Sequence, residues 1–162
     1  MKEFLKDLLT ALIIVTALSL LIKPVVVSGD SMEPSFKDRD FVLVNKAARL
    51  AESYDYGDVV VARSDEIGGL IIKRVIGKEE DRIKIKNGKV YRNGKALKEN
   101  YTAGPVNKEG SYRVSEDSYF LMGDNRNFSF DSREKAVGSI KKEDIAGRVF
   151  IRLFPLTEIR LF

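Results

Sequence analysis

The chain is expected to be mainly β: coiled or barrel-like antiparallel sheets behind a single N-terminal apolar helix. Two observations predict this. Short segments rich in β-branched and aromatic residues recur from residue 41 to the end. A single apolar run, Leu8 to Ile22, comes before all of them.

The run LLTALIIVTALSLLI is broken only by Thr10, Thr16 and Ser19. As a helix its 15 residues cover about 22 Å, short of the ~30 Å hydrocarbon layer. Phe4, Leu5 and Val25–Val27 extend the apolar stretch, while Lys6 and Lys23 can snorkel outward. No face of the run is polar, which argues against a buried core helix. No small-x-small site follows before residue 28, which argues against a cleaved signal peptide. A retained anchor over 7–23 is the expectation, with a β-domain over 24–162. Basic residues lie on both sides of the run, so charge does not orient it.

Pro24 is expected to end the helix and Val25–Val27 to start an extended segment. Strands are predicted at 41–46, 58–62, 69–77, 82–86, 89–93, 118–123 and 147–154. Asn87-Gly88 and Asn93-Gly94 are two-residue hairpin signals, making 82–97 a small meander. Short helical turns are predicted at 47–53 and 141–145.

The composition excludes several function classes. The 28 basic residues interleave with 24 acidic ones, for a net charge of +4. KEEDRIKIKNGK at 78–89 is typical, and it reads as a solvated surface rather than a nucleic-acid stripe. There is no cysteine and no histidine, so neither a disulfide nor a thiolate or imidazole metal site is expected. No cofactor is expected.

The same inventory narrows any nucleophilic chemistry. A serine hydroxyl needs a base to take its proton. Without imidazole the choices are a carboxylate or an amine, and Ser-Lys pairs are an established variant. Ser31 lies in SGDSMEPSF (28–36), where an apolar strand gives way to a polar turn. Gly29 lets the backbone there take a positive φ or a close approach. Lys73 interrupts the apolar strand GLIIKRVIG (69–77), where strict alternation fails. One of Lys73 and Arg74 must therefore face the covered side of the sheet. A desolvated lysine has its pKa lowered from about 10.4 toward neutrality, as a general base requires. GDNRNFSFDSR (123–133) crowds Ser129, Asp131 and Arg133 into a turn. Each segment alone also fits a plainer role: a surface ST-turn, a snorkelling edge lysine, a polar loop. Their joint occurrence in this order points to a site.

In that order the segments resemble the type I signal peptidases, membrane-anchored Ser-Lys endopeptidases, over nearly the whole chain. SGDSMEPSF is similar to the nucleophile box, RDFVLVNK (39–46) to the strand box, GLIIKRVIG to the lysine box and GDNRNFSFDSR to the final box. The ending IAGRVFIRLFPLTEIRLF resembles the terminal strand, and the short 77–118 segment resembles compact Gram-positive-type members. The resemblance implies Ser31 as nucleophile and Lys73 as general base. It implies Ser129 as the residue orienting the amine, and Asp131 with Arg133 as a structural ion pair. The N–H of Ser31 would serve the oxyanion hole. Gly29 stands where some members carry a serine as second donor, and Phe128 and Phe130 replace small or polar residues.

The implied reaction is removal of signal peptides from secretory preproteins after small-x-small sites. Substrate would bind as an extended strand over Val27, Met32 and Ile72. The implied location is the cell membrane, single-pass, with residues 1–6 cytoplasmic and the β-domain outside. The implied partners are preproteins and the lipid bilayer, without nucleic acid. Two rival readings are a LexA-like Ser-Lys autoprotease, which would need a DNA-binding domain, and a non-enzymatic membrane-tethered β-domain.

Overall fold

The structure, a computed structural model, describes residues 1–49 and 53–162. One helix, α1 (Lys2–Leu21), leads into β1 (Ile22–Val26). Eleven strands follow: β2 (Phe41–Asn45), β3 (Val59–Ser64), β4 (Gly69–Lys78), β5 (Arg82–Lys86), β6 (Lys89–Arg92), β7 (Lys95–Ala96), β8 (Gly110–Arg113), β9 (Ser118–Met122), β10 (Ile140–Lys141), β11 (Ile145–Phe154) and β12 (Arg160–Leu161). Every strand pairing among the described residues is antiparallel. The predicted mainly antiparallel architecture is what forms.

At 20 residues, α1 is about 30 Å long, enough to cross a hydrocarbon layer. It outruns the apolar core of its sequence because the flanking residues continue the helix. Its hydroxyls are satisfied internally: Thr10 donates to the Lys6 carbonyl (2.9 Å), Thr16 to Leu12 (2.8 Å) and Ser19 to Thr16 (2.7 Å). That back-bonding lets polar residues sit in an apolar surrounding. The helix stops at Leu21, earlier than Pro24 would require, because Ile22 already pairs with Asn45 on β2. Pro24 falls inside β1, which is a sheet edge and so tolerates a residue without N–H.

The larger sheet runs β1-β2-β11-β3-β4-β9-β10, with β12 added to β11. Strand β3 lies near its centre and is buried on both faces, so its run of valines does not alternate. Val60 and Ala62 pack with Ile71, Val75, Leu121 and Ile145. Val59 and Val61 pack on the opposite face with Val27, Met32, Phe36 and Val149. The smaller sheet, β7-β6-β5-β8, is the expected meander extended by β8. Both Asn-Gly turns have positive φ at each residue, as two-residue hairpins of the right twist require. A third core of Ile83, Ile85 and Val90 against Ile76, Phe120 and Met122 joins the two sheets.

The turn predicted at 47–53 is a single 3₁₀ turn at Ala47–Arg49, and residues 50–52 lie outside the described residues. The turn predicted at 141–145 is another, at Lys142–Asp144. Strands β8, β10 and β12 are unanticipated. They are short pieces whose residues carry little strand character and which form only on a neighbouring strand.

Phe120 is 1% exposed, lies 5.0 Å from the Tyr112 ring and belongs to the core between the sheets. Phe120→Ala should cost about 3–5 kcal/mol. Urea unfolding of the detergent-solubilised chain should show the midpoint fall accordingly; an unchanged midpoint would mean the sheets are not coupled there.

Candidate active site

Lys73 and Arg74 are neighbours on β4, so their side chains leave opposite faces of the strand. The expectation was that one of them is covered. Both are: Lys73 is 4% exposed and Arg74 8%. The reason is that the sheet is packed on both faces here, which sequence alternation cannot signal.

The two cations are handled differently. Arg74 grips Asp124 with two bonds, Nε to Oδ1 at 2.8 Å and Nη2 to Oδ2 at 2.6 Å. It also donates to the Gly57 carbonyl and Ser35 Oγ and lies 4.2 Å from the centre of the Tyr101 ring. Its charge is thus fully compensated. Lys73 has no carboxylate in contact among the described residues. Its amine lies 2.6 Å from Ser31 Oγ. Burial pushes the lysine down to about 8, with Asp131 opposing that fall and Arg133 reinforcing it.

Asp131 is kept from pairing with Lys73 by its own contacts. Arg133 binds it with two parallel bonds of 2.8 Å, Nε to Oδ1 and Nη2 to Oδ2. The Gly123 N–H (2.9 Å) and the Ser129 hydroxyl (2.7 Å) donate to Oδ2. Burial raises the Asp131 carboxyl, but these donors, Arg133 first, outweigh it and hold the group below the usual carboxylate range. Ser129 therefore donates its hydrogen bond to Asp131.

The loop carrying Ser31 is fixed from several directions. Gly29 takes φ +83°, and its N–H donates to Asp38 Oδ1 (2.8 Å). Met32 and Phe36 are fully buried and anchor the turn, with Phe36 stacked 4.3 Å from Phe162. Asn125 donates its N–H to the Ser31 carbonyl and its side-chain amide to the Asp30 carbonyl, both 3.1 Å. Gly123 lies between the two loops: a Cβ there would overlap Ser129 Oγ and the Ser31 carbonyl. Gly123, Asp124 and Asn125 lie at the turn that opens the 123–133 segment, and sequence reasoning gave them no part in the site; Arg74 it read only as an alternative to Lys73 for the covered side of the strand. The clue available was the arginine next to Lys73 in a strand without alternation.

A cleft of about 470 Å³ opens at this pair. One wall is Val25–Ser28 and the other is Leu70–Lys73, with Met32 and Val61 also lining it and Phe130 and Ile67 at the exposed end. The substrate residues named from sequence, Val27, Met32 and Ile72, all line it. Phe128 is exposed nearby in sequence but is not part of the lining. Among the described residues no cluster of carboxylates could hold a metal. A buried, poorly solvated amine in contact with a serine hydroxyl at the mouth of an apolar cleft suits nucleophilic acyl transfer.

The profile of the family described as signal peptidase, peptidase S26, matches residues 1–154. The chain belongs to this family. It is 34% identical to signal peptidase I S of Bacillus subtilis (strain 168), over 98% of this chain and 94% of that protein. It is 35% identical to a signal peptidase I of Bacillus amyloliquefaciens, over 98% and 93%. Among solved structures it resembles a signal peptidase I from Enterococcus faecalis V583, with TM-score 0.54 and 25% identity. That match covers 59% of this chain and 96% of the other.

The lysine burial has a stability consequence. Its folded pKa of about 8 lies below the free value of 10.5, so the unfolded chain binds the extra proton between those limits. The penalty is absent above pH 10.5, grows as pH falls and is complete below about 8, where it amounts to roughly 3 kcal/mol. Lys73→Met should therefore raise Tm at pH 7, with the gain shrinking as pH rises toward 10.5. A variant no more stable than wild type at pH 7 would show that the amine is well solvated.

Proposed function

We propose that this chain is a membrane-anchored signal peptidase that cleaves secretory preproteins after small-x-small sites, with Ser31 as nucleophile and Lys73 as general base. The observation that carries this is the 2.6 Å contact between a desolvated amine and a serine oxygen. The neutral amine takes the Ser31 proton as the oxygen attacks the scissile carbonyl. The resulting ammonium protonates the leaving amine. Lys73, neutral again, then takes a proton from the water that hydrolyses the acyl-enzyme. Among the described residues the N–H of Ser31 has no acceptor within the chain, which suits it to the developing oxyanion. The ion pairs Arg74–Asp124 and Arg133–Asp131 stay out of the proton transfer and hold the loops. Ser129 acts through Asp131 on the amine's surroundings.

Two free strand edges support binding of an extended substrate. β4 pairs with β3 along its whole length to Arg74, but its pairing with β9 begins only at Arg74. Residues 69–73 are therefore open on that side. β1 has a partner on one side only. A peptide laid between them would find main-chain partners, with small side chains over Val27, Met32 and Ile72. In this reading residues 1–6 are cytoplasmic, 7–23 span the membrane and 24–162 form the outer catalytic domain.

Ser31→Ala and Lys73→Ala should each lower preprotein cleavage by about 10⁴-fold or more, and the double variant should be no worse than either. In wild type the rate should rise with pH through an apparent pKa of about 8, because only the neutral amine accepts a proton. Substantial turnover by Lys73→Ala, or a rising limb near 10, would sink the assignment of the base.

Deleting residues 1–21 leaves β1 and every site segment intact. That truncated chain should still cut a soluble peptide with alanine at P1 and P3, and bulky residues at either position should be rejected. Equal cleavage of leucine- or phenylalanine-containing sites would overturn the small-x-small specificity.

A further inference from the structure

The outer face of the smaller sheet has no part in the chemistry above. Arg82, Lys84 and Lys86 alternate along β5 with Ile83 and Ile85, which are buried. The three cations therefore share one face, roughly 7 Å apart. Register places Lys89 beside Lys86 and Arg113 beside Arg82, widening the row at both ends. Tyr91 and Ser111 flank Lys84 from the two neighbouring strands, adding hydroxyls at the centre. The carboxylates in contact with this face among the described residues stand at its ends: Glu80 pairs with Arg113, and Glu109 accepts the Asn87 N–H. Arg82, Lys84, Lys86 and Lys89 have no ion pair among the described residues. A cavity of about 810 Å³ lies over this face.

We propose that this face docks a linear phosphodiester polymer carrying one phosphate per short neutral repeat, of the polyol-phosphate type. An evenly spaced row of cations suits a charge that recurs at every repeat. Apart from Ala96 opposite Tyr91, no aliphatic side chain stands on this face. An acidic peptide would thus find little aliphatic lining to seat its alternate side chains. The bilayer that holds α1 is a poorer fit, since the smaller sheet joins β4 and β9 while α1 enters through β1 at the other end of the strand order. The choice of polyol phosphate over nucleic acid rests on the placement of the domain outside the cytoplasm, as in the proposed function.

The test uses the full chain in neutral detergent with synthetic poly(glycerol phosphate) of about ten repeats. Binding should weaken steeply with salt. Lys84→Gln together with Lys86→Gln should weaken it about tenfold or more at low salt. Two lost contacts should also flatten the log K against log salt slope by about 1.4, at roughly 0.7 per contact. Lys95→Gln, whose side chain leaves the other face of the sheet, should bind as wild type. Cleavage of a soluble peptide should be the same in all variants, so loss of binding with intact cleavage isolates this face from the active site. The proposal is overturned if the double variant binds as wild type. It is equally overturned if poly-glutamate, a single-stranded oligonucleotide of equal charge or phosphatidylglycerol vesicles bind more tightly than the polymer.

Discussion

Everything in this domain turns on how β4 buries two consecutive cations. A buried charge must be paired or must give up its proton. Arg74 takes the first course and Lys73 the second. The guanidinium needs a full set of acceptors, and Asp124, Gly57 and Ser35 supply them. The amine can become neutral, so it needs the reverse: a pocket without a free carboxylate. The bidentate Arg133–Asp131 pair provides that by engaging the carboxylate that acts most strongly on the amine. A Lys73–Asp131 ion pair would hold the proton on the amine that contacts Ser31 Oγ.

The same arrangement ties the Lys73–Ser31 contact to loop geometry. Asp124 holds Arg74 on one side, and the next residue, Asn125, holds the Ser31 carbonyl on the other. The segment that compensates one cation thus sets the distance between the other and Ser31. Gly123 belongs to this constraint, since no side chain fits between Ser129 and the Ser31 carbonyl. The cleft follows from the sheet rather than from a separate device. β9 ends at Met122, opposite Arg74, which leaves residues 69–73 of β4 unpaired on that side, next to Ser31. The exposed Phe130 and Leu70 give the rim an apolar character where an anchored domain meets an apolar substrate segment.

Much of this was legible in the residues. The absence of histidine and cysteine narrowed the base for any reactive serine to a carboxylate or an amine. The order of the segments and their family resemblance singled out Ser31 and Lys73, and β-branched segments and Asn-Gly turns located most strands. Local signals of this kind are written in short stretches, because period-two patterns and positive-φ turns depend on neighbours in sequence. The apolar run likewise announced α1, although its length in the structure exceeds that of the run.

What only the tertiary structure decided is what each buried charge meets. Lys73 and Ser31 are 42 residues apart, and Arg74 and Asp124 are 50. Sequence placed a cation on a strand but could not count the layers covering it, so it allowed one buried cation where there are two. It left the turn at 123–125 without a role, because that role depends on the carbonyl of a loop nearly a hundred residues away. The sequence by itself determined which groups could react. The fold determined which of them are deprived of water and counter-charge, because desolvation and pairing belong to the packed assembly and to no segment within it.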